Sequence, residues 1–131
     1  MEWLTPTRRF GICLGTSGCP PAARSFIHDA EVARWKIAVS SISLVEIVYL
    51  EEKSRIAATA CELLTRSFAD DEQVFVEAPV DSAIADAMRS VNRAQVPDMP
   101  DRIIAATGLR FDVPVITRDS QIRAADIETI W

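Results

Sequence analysis

The 131-residue sequence is short of histidine, lysine, tyrosine, glycine and cysteine, and each shortage closes off a class of chemistry. His28 is the only histidine. It lies mid-helix by its surroundings and is expected at the surface, so no Ser–His or Cys–His nucleophile competes for the active-site reading. Cys13, Cys19 and Cys61 show no C-x-x-C spacing, which argues against both a disulfide scaffold and a zinc site and makes a reducing cytoplasm the expected compartment. No run of 18 apolar residues exists, so no membrane-spanning helix is expected. The opening MEWLTPTRRFGICLG places two arginines where a secretory signal needs its apolar stretch. Basic charge is also in deficit, with 14 Lys+Arg against 19 Asp+Glu and a net charge of −5. That balance argues against nucleic-acid binding through a basic patch. It leaves open an enzyme whose acids hold a metal, because a cation reverses the local charge logic. Apart from Lys36 and Lys53 every basic residue is an arginine, suited to bidentate phosphate contact but most simply read as surface charge.

The length predicts one domain spanning 1–131. Residues 1–21 stand apart from the rest. They carry Gly11, Gly15 and Gly18, Cys13 and Cys19, Pro6, Pro20 and Pro21, and a single acid, Glu2. No helix or strand periodicity fits them, and Arg9–Leu14 makes a weak strand at best.

From Pro21 the pattern is regular. Pro21 fits the first turn of a helix over 21–34 with Phe26, Ile27, Ala30 and Ala33 on one face. KIAVS (36–40) reads as a strand. Ser41 or Ser43 then opens a helix carrying Leu44, Ile47, Val48 and Leu50. A third helix is expected over 57–69 with Leu63, Leu64 and Phe68 inward, followed by a strand at 74–77. Asp81 caps a helix bearing Ile84, Met88 and Val91. Asp98 or Asp101 starts another that ends near Asp112, and VPVIT (113–117) reads as a buried parallel strand. A short helix at 120–125 and a strand at 127–131 close the chain. Strands alternating with helices predict an α/β fold with a mainly parallel sheet, whose ligand site belongs at the carboxyl ends of the strands.

Four acids fall near that edge: Glu46, Asp98, Asp101 and Asp119. Each has a structural explanation. Ser43-x-x-Glu46 reads as a capping box, Asp98 as an N-cap with Asp101 three residues on, and Asp119 as the cap of the helix at 120–125. Together they suggest something else. Two like charges about 4 Å apart repel by roughly 4 kcal/mol at an effective dielectric near 20, so a converging set needs protons or a divalent cation. Mg²⁺ or Mn²⁺, hard ions that take oxygen ligands and retain water, suit such a set.

On three stretches, SSISLVEI (40–47), VPDMPDRIIAATGL (96–109) and VPVITRD (113–119), and on the ending IETIW, residues 36–131 resemble a PIN domain of the VapC toxin type. The resemblance implies a three-layer α/β/α fold with a mainly parallel central sheet. It also implies a Mg²⁺-dependent endoribonuclease that is the toxin of a toxin–antitoxin pair, a homodimer silenced by its antitoxin. One acid per motif carries over as catalytic residue and metal ligand: Glu46, Asp101 and Asp119. Asp98 assists, Thr117 positions a ligand through its hydroxyl, and Arg118 either contacts phosphate or is a surface arginine.

The resemblance fails at the start, where the family's first strand ends in an Asp followed by Thr-His. Here no acid lies between Glu2 and Asp29. A shifted reading frame accounts for the gap. Codons built from the third base of one codon and the first two of the next permit Asp at Leu4–Thr5, Thr at Thr5–Pro6 and His at Pro6–Thr7. In the same register they permit Trp-Tyr-Leu across Phe10–Cys13 and Leu-Ser-Pro across Gly18–Pro21, where the written frame resumes at Ala22. The alternative is a natural variant. Two other functional readings stay open: a catalytically impaired module that only binds antitoxin, and a phospho-acceptor receiver domain, which lacks its lysine after the last strands.

Overall fold

The computed structural model describes residues 9–10, 20–117 and 119–131, with side chains from residue 20 onward. Strand β1 (Arg9–Phe10) falls inside the weak strand expected at Arg9–Leu14; the rest of that stretch, and Arg118, lie outside the described residues. Helix α1 (Pro21–Ala33) begins with Pro21 in its first turn, where a missing N–H costs nothing. Its inward stripe is Ala23, Phe26, Ile27 and Ala30, packed on Ile37, Val74 and Ile116. Ala33, expected inward, is exposed. The helix ends there because Arg34 turns left-handed (φ 57°), its N–H closing on the carbonyls of Ala30 and Glu31.

Strand β2 (Ile37–Ser40) is buried at every position. It runs straight into α2 (Ser41–Glu52), and the cap is Ser40, whose Oγ accepts the Ile42 N–H at 3.3 Å. Both serines expected to open the helix therefore lie inside it. The capping box expected at Ser43-x-x-Glu46 is absent, since Glu46 sits beyond the first turn. Helix α3 (Ala60–Phe68) is shorter than expected, and Leu63 points outward at 62% exposure. Strand β3 (Phe75–Ala78) starts one residue late, with Val74 already in the core. Lys36 ties the two strand starts together, its Nζ donating to the carbonyls of Asp71 (2.5 Å) and Gln73 (2.6 Å).

Asp81 caps α4 (Ser82–Ala87) by accepting the Ile84 N–H at 3.0 Å, and a 3₁₀ turn follows at Met88–Ser90. Helix α5 (Met99–Phe111) is capped by Asp98 and stopped by Asp112 in the left-handed region. The guanidinium of Arg102 donates to the carbonyls of Met88 (2.9 Å) and Val91 (3.3 Å), fixing the start of α5 against the preceding turn. Strand β4 is only Val115–Ile116, α6 is Ser120–Ala124, and β5 is Thr129–Ile130, each shorter than the sequence pattern suggested.

Among the described residues every strand pairing is parallel. Arg9 pairs with Ile37, Ile37 with Phe75, and Val115 with Thr129. The pairs form a three-stranded sheet in the order β1-β2-β3 and a two-stranded sheet of β4 and β5, and β1 also lies beside β4. Successive strand residues serve different cores, as a period of two requires. Ile116 packs with α1, Ile37 and Val74, whereas Val115 packs with Ile84, Ile103, Ile104 and Ile122. Among the described residues no helix is long and apolar enough to cross a membrane.

Candidate acidic site

A parallel arrangement puts the end of β2 and the end of β4 on one edge. Glu46 comes from α2, which leaves β2 directly, and Asp119 follows β4 by three residues. Asp98 and Asp101 come from the first turn of α5, which packs against α2, β2 and β4.

The structural duties of the four acids differ. Asp119 caps α6: its Oδ1 accepts the N–H groups of Gln121 (3.0 Å) and Ile122 (2.9 Å). Asp98 caps α5, its Oδ2 accepting the Asp101 N–H at 3.4 Å. The capping roles expected for these two are present. Glu46 has no such role, because the box that would have explained it does not form. Asp101 caps nothing. No ion pair among the described residues involves any of the four.

Electrostatics bring them together. Burial, first, and then the carboxylates of Asp119, Asp98 and Glu46 push the Asp101 carboxyl up to about 6; a side-chain hydrogen bond with Asp98 adds to this. Glu46 is also raised, by burial and then by Asp98. One carboxyl thus feels an acid from each of the other segments. Among the described residues, however, no three His, Cys, Asp or Glu side chains stand close enough to share a metal ion. The donor set fits a hard cation in its chemistry: oxygen ligands, like charge and no compensating base.

Hydroxyl groups line the same edge. Ser40, Ser43 and Thr117 are buried, three of the four buried polar or charged residues described. Thr117 Oγ1 accepts the Asp119 N–H at 3.0 Å, so it shapes the turn that presents Asp119. Ser43 lies one turn before Glu46 with no exposure, and its Oγ has no hydrogen-bond partner among the described residues. An orphaned buried hydroxyl costs about 1–3 kcal/mol, and the sequence carried no sign of it. Gly108 was equally unmarked. A Cβ there would stand 2.5 Å from Val115 Cγ2 and 3.2 Å from the Val113 carbonyl, so glycine permits the close approach of α5 to β4. That approach sets Asp101 relative to Asp119.

Comparison with solved structures places the fold. The chain superposes on a chain of VapBC2 from Rickettsia felis, solved bound to a DNA fragment from their promoter, with a TM-score of 0.66. Its fold resembles that chain's. The match covers 93% of this chain and 96% of the VapBC2 chain at 14% identity, so it speaks for fold alone. The sequence matches no family model and no curated relative.

Proposed function

We propose that the chain is a metal-dependent endoribonuclease of the VapC type, the toxin of a toxin–antitoxin pair, built as a single PIN-like domain of three α/β/α layers over residues 1–131. The observation that carries this reading is the convergence at Asp101, whose carboxyl is raised to about 6 through burial and the acids of all the motif segments. The VapBC2 likeness supports it independently at the level of fold. The working compartment is the cytoplasm, and the partners are RNA, a cognate antitoxin and a second copy of the chain.

Glu46, Asp101 and Asp119 would hold the cation, Mg²⁺ or Mn²⁺, which would have to draw together carboxylates that do not stand close enough to share it without it. When bound it would supply an acidified water and charge to offset the leaving oxygen. Asp119 can serve both fold and site, because its cap uses Oδ1 alone. Asp98 keeps the first turn of α5 in place beneath Asp101. Thr117 fixes the Asp119 backbone, and Arg118 contacts phosphate.

The test is a pair of variants, Asp101→Asn and Glu46→Gln. Mn²⁺ should raise the melting temperature of the parent chain and leave both variants unmoved, and Mg²⁺-dependent RNA cleavage should disappear in both. Cleavage retained by Asp101→Asn removes the assignment. The second reading, a module that only binds antitoxin, draws on the lack of any acid between Glu2 and Asp29. Antitoxin binding without any Mn²⁺ response in the parent chain selects it.

A further inference from the structure

Helix α2 carries more on its surface than Glu46. Tyr49 is 56% exposed, and the Lys53 ammonium lies 4.5 Å from the centroid of its ring. Glu46, Tyr49 and Lys53 follow one another at spacings of three and four residues, which aligns them along one stripe of the helix. Tyr49 stands three residues, roughly 4.5 Å along the helix axis, beyond the residue that carries the candidate carboxylate. The ring contributes little to the core, and the contact from Lys53 holds one side of it.

This pairing has the chemistry of a nucleotide platform. A flat aromatic ring stacks on any base, and an ammonium beside it meets the phosphate. Only an unpaired base is free to stack, since in a helix its faces are covered by neighbours. The net charge of −5 makes long-range attraction of RNA weak, so affinity must come from short-range contact of this kind. We propose that Tyr49, supported by Lys53, seats an unpaired base of single-stranded RNA beside the Glu46 end of the acidic edge. This assignment rests on the nuclease reading and adds to it a substrate-positioning contact outside the acids.

Val45 and Val48 are 62% and 40% exposed on the same helix, and Leu63 is 62% exposed on α3. A protein partner covering that strip is the competing occupant. The cation at the ring favours the nucleotide, and the experiment separates the two.

The measurement is fluorescence anisotropy of a labelled, unpaired oligoribonucleotide with the full chain in the absence of divalent cations. Tyr49→Ala and Tyr49→Leu should weaken binding by about five- to 150-fold, the range for loss of one stacked base. Tyr49→Phe should bind within about twofold of the parent, because the ring remains, and the same sequence annealed to its complement should bind more weakly. Circular dichroism confirms folding, and Tyr49→Leu keeps the apolar cover while removing the ring. Unchanged binding by Tyr49→Ala overturns the assignment. So does a Tyr49→Phe loss as large as that of alanine, or a change in self-association with RNA binding intact, which marks a protein-docking strip. A parent chain that binds no RNA either in this assay or with Mg²⁺ added overturns the nuclease reading itself, and this assignment with it.

Discussion

Asp98 accepts the backbone N–H of Asp101 at 3.4 Å, and its own charge helps to raise the carboxyl of the residue whose amide it holds. The contact that starts α5 therefore works against ionisation of the side chain at its third position. Geometry and electrostatics are coupled in four residues of chain.

That coupling sets a pH dependence. The unfolded Asp101 carboxyl titrates at its ordinary value near 3.8, the folded one at about 6. Between those values the folded state binds more protons than the unfolded state, so the stability contributed by this group falls as pH rises through the window. Asp101 is half-exposed and solvent screens it, so the loss is discounted to roughly 1 kcal/mol. Denaturant unfolding of the metal-free chain at pH 5 and pH 7 should show that decline, and Asp101→Asn should flatten it. An unchanged slope in the variant would place the titrating group elsewhere.

Ser43→Ala should stabilise the protein. The substitution removes a buried hydroxyl without a partner and puts a better helix former inside α2. A gain of about 1 kcal/mol in unfolding free energy is expected. A loss instead would mean that the hydroxyl finds a partner in solution.

Gly108→Ala should destabilise by about 1–3 kcal/mol, the cost of forcing a methyl into a packed core. The clash falls on Val115 Cγ2 at 2.5 Å, so the cost of Gly108→Ala should shrink when it is measured in a Val115→Ala background, whose own cavity cost is measured separately. An equal cost of Gly108→Ala in both backgrounds would show that the strain lies against the Val113 carbonyl.

The nucleotide sequence encoding residues 1–22 offers a check that needs no protein. Read with codons shifted as described, it should spell Asp-Thr-His beginning at Leu4–Thr5. If no frame supplies an acid there, the antitoxin-binding reading gains.

Much of the fold was legible because capping residues are chemically distinctive. Asp81, Asp98 and Asp119 each cap the helix expected of them, since a carboxylate ahead of an apolar run has few better uses. Consecutive serines carry no such contrast. Ser40, Ser41 and Ser43 are equally able caps, and the choice of Ser40 follows from β2 running directly into α2. Leu63 was misplaced for a related reason: periodicity identifies a stripe, but the apolar stripe of α3 is wider than the surface α2 and β3 offer it. At the site, the acids were visible as residue types, whereas their coupling depends on how α5 meets β4. That approach hinges on one missing side chain, which leaves no mark in a pattern of apolar and polar residues.

The parallel registers also bear on the order of folding. The paired residues Val115 and Thr129 are 14 positions apart, Arg9 and Ile37 are 28 apart, and Ile37 and Phe75 are 38 apart. Loop-closure entropy favours the first over the last by about 0.9 kcal/mol. The C-terminal strand pair with its Asp119 turn thus carries the smallest closure cost of the three pairings, and β2, which leads into the segment carrying Glu46, carries the larger two. The strongest repulsions on Asp101 come from Asp119 and then Asp98, both in the C-terminal part of the chain, so most of the strain at the acidic edge does not depend on the Glu46 segment at all.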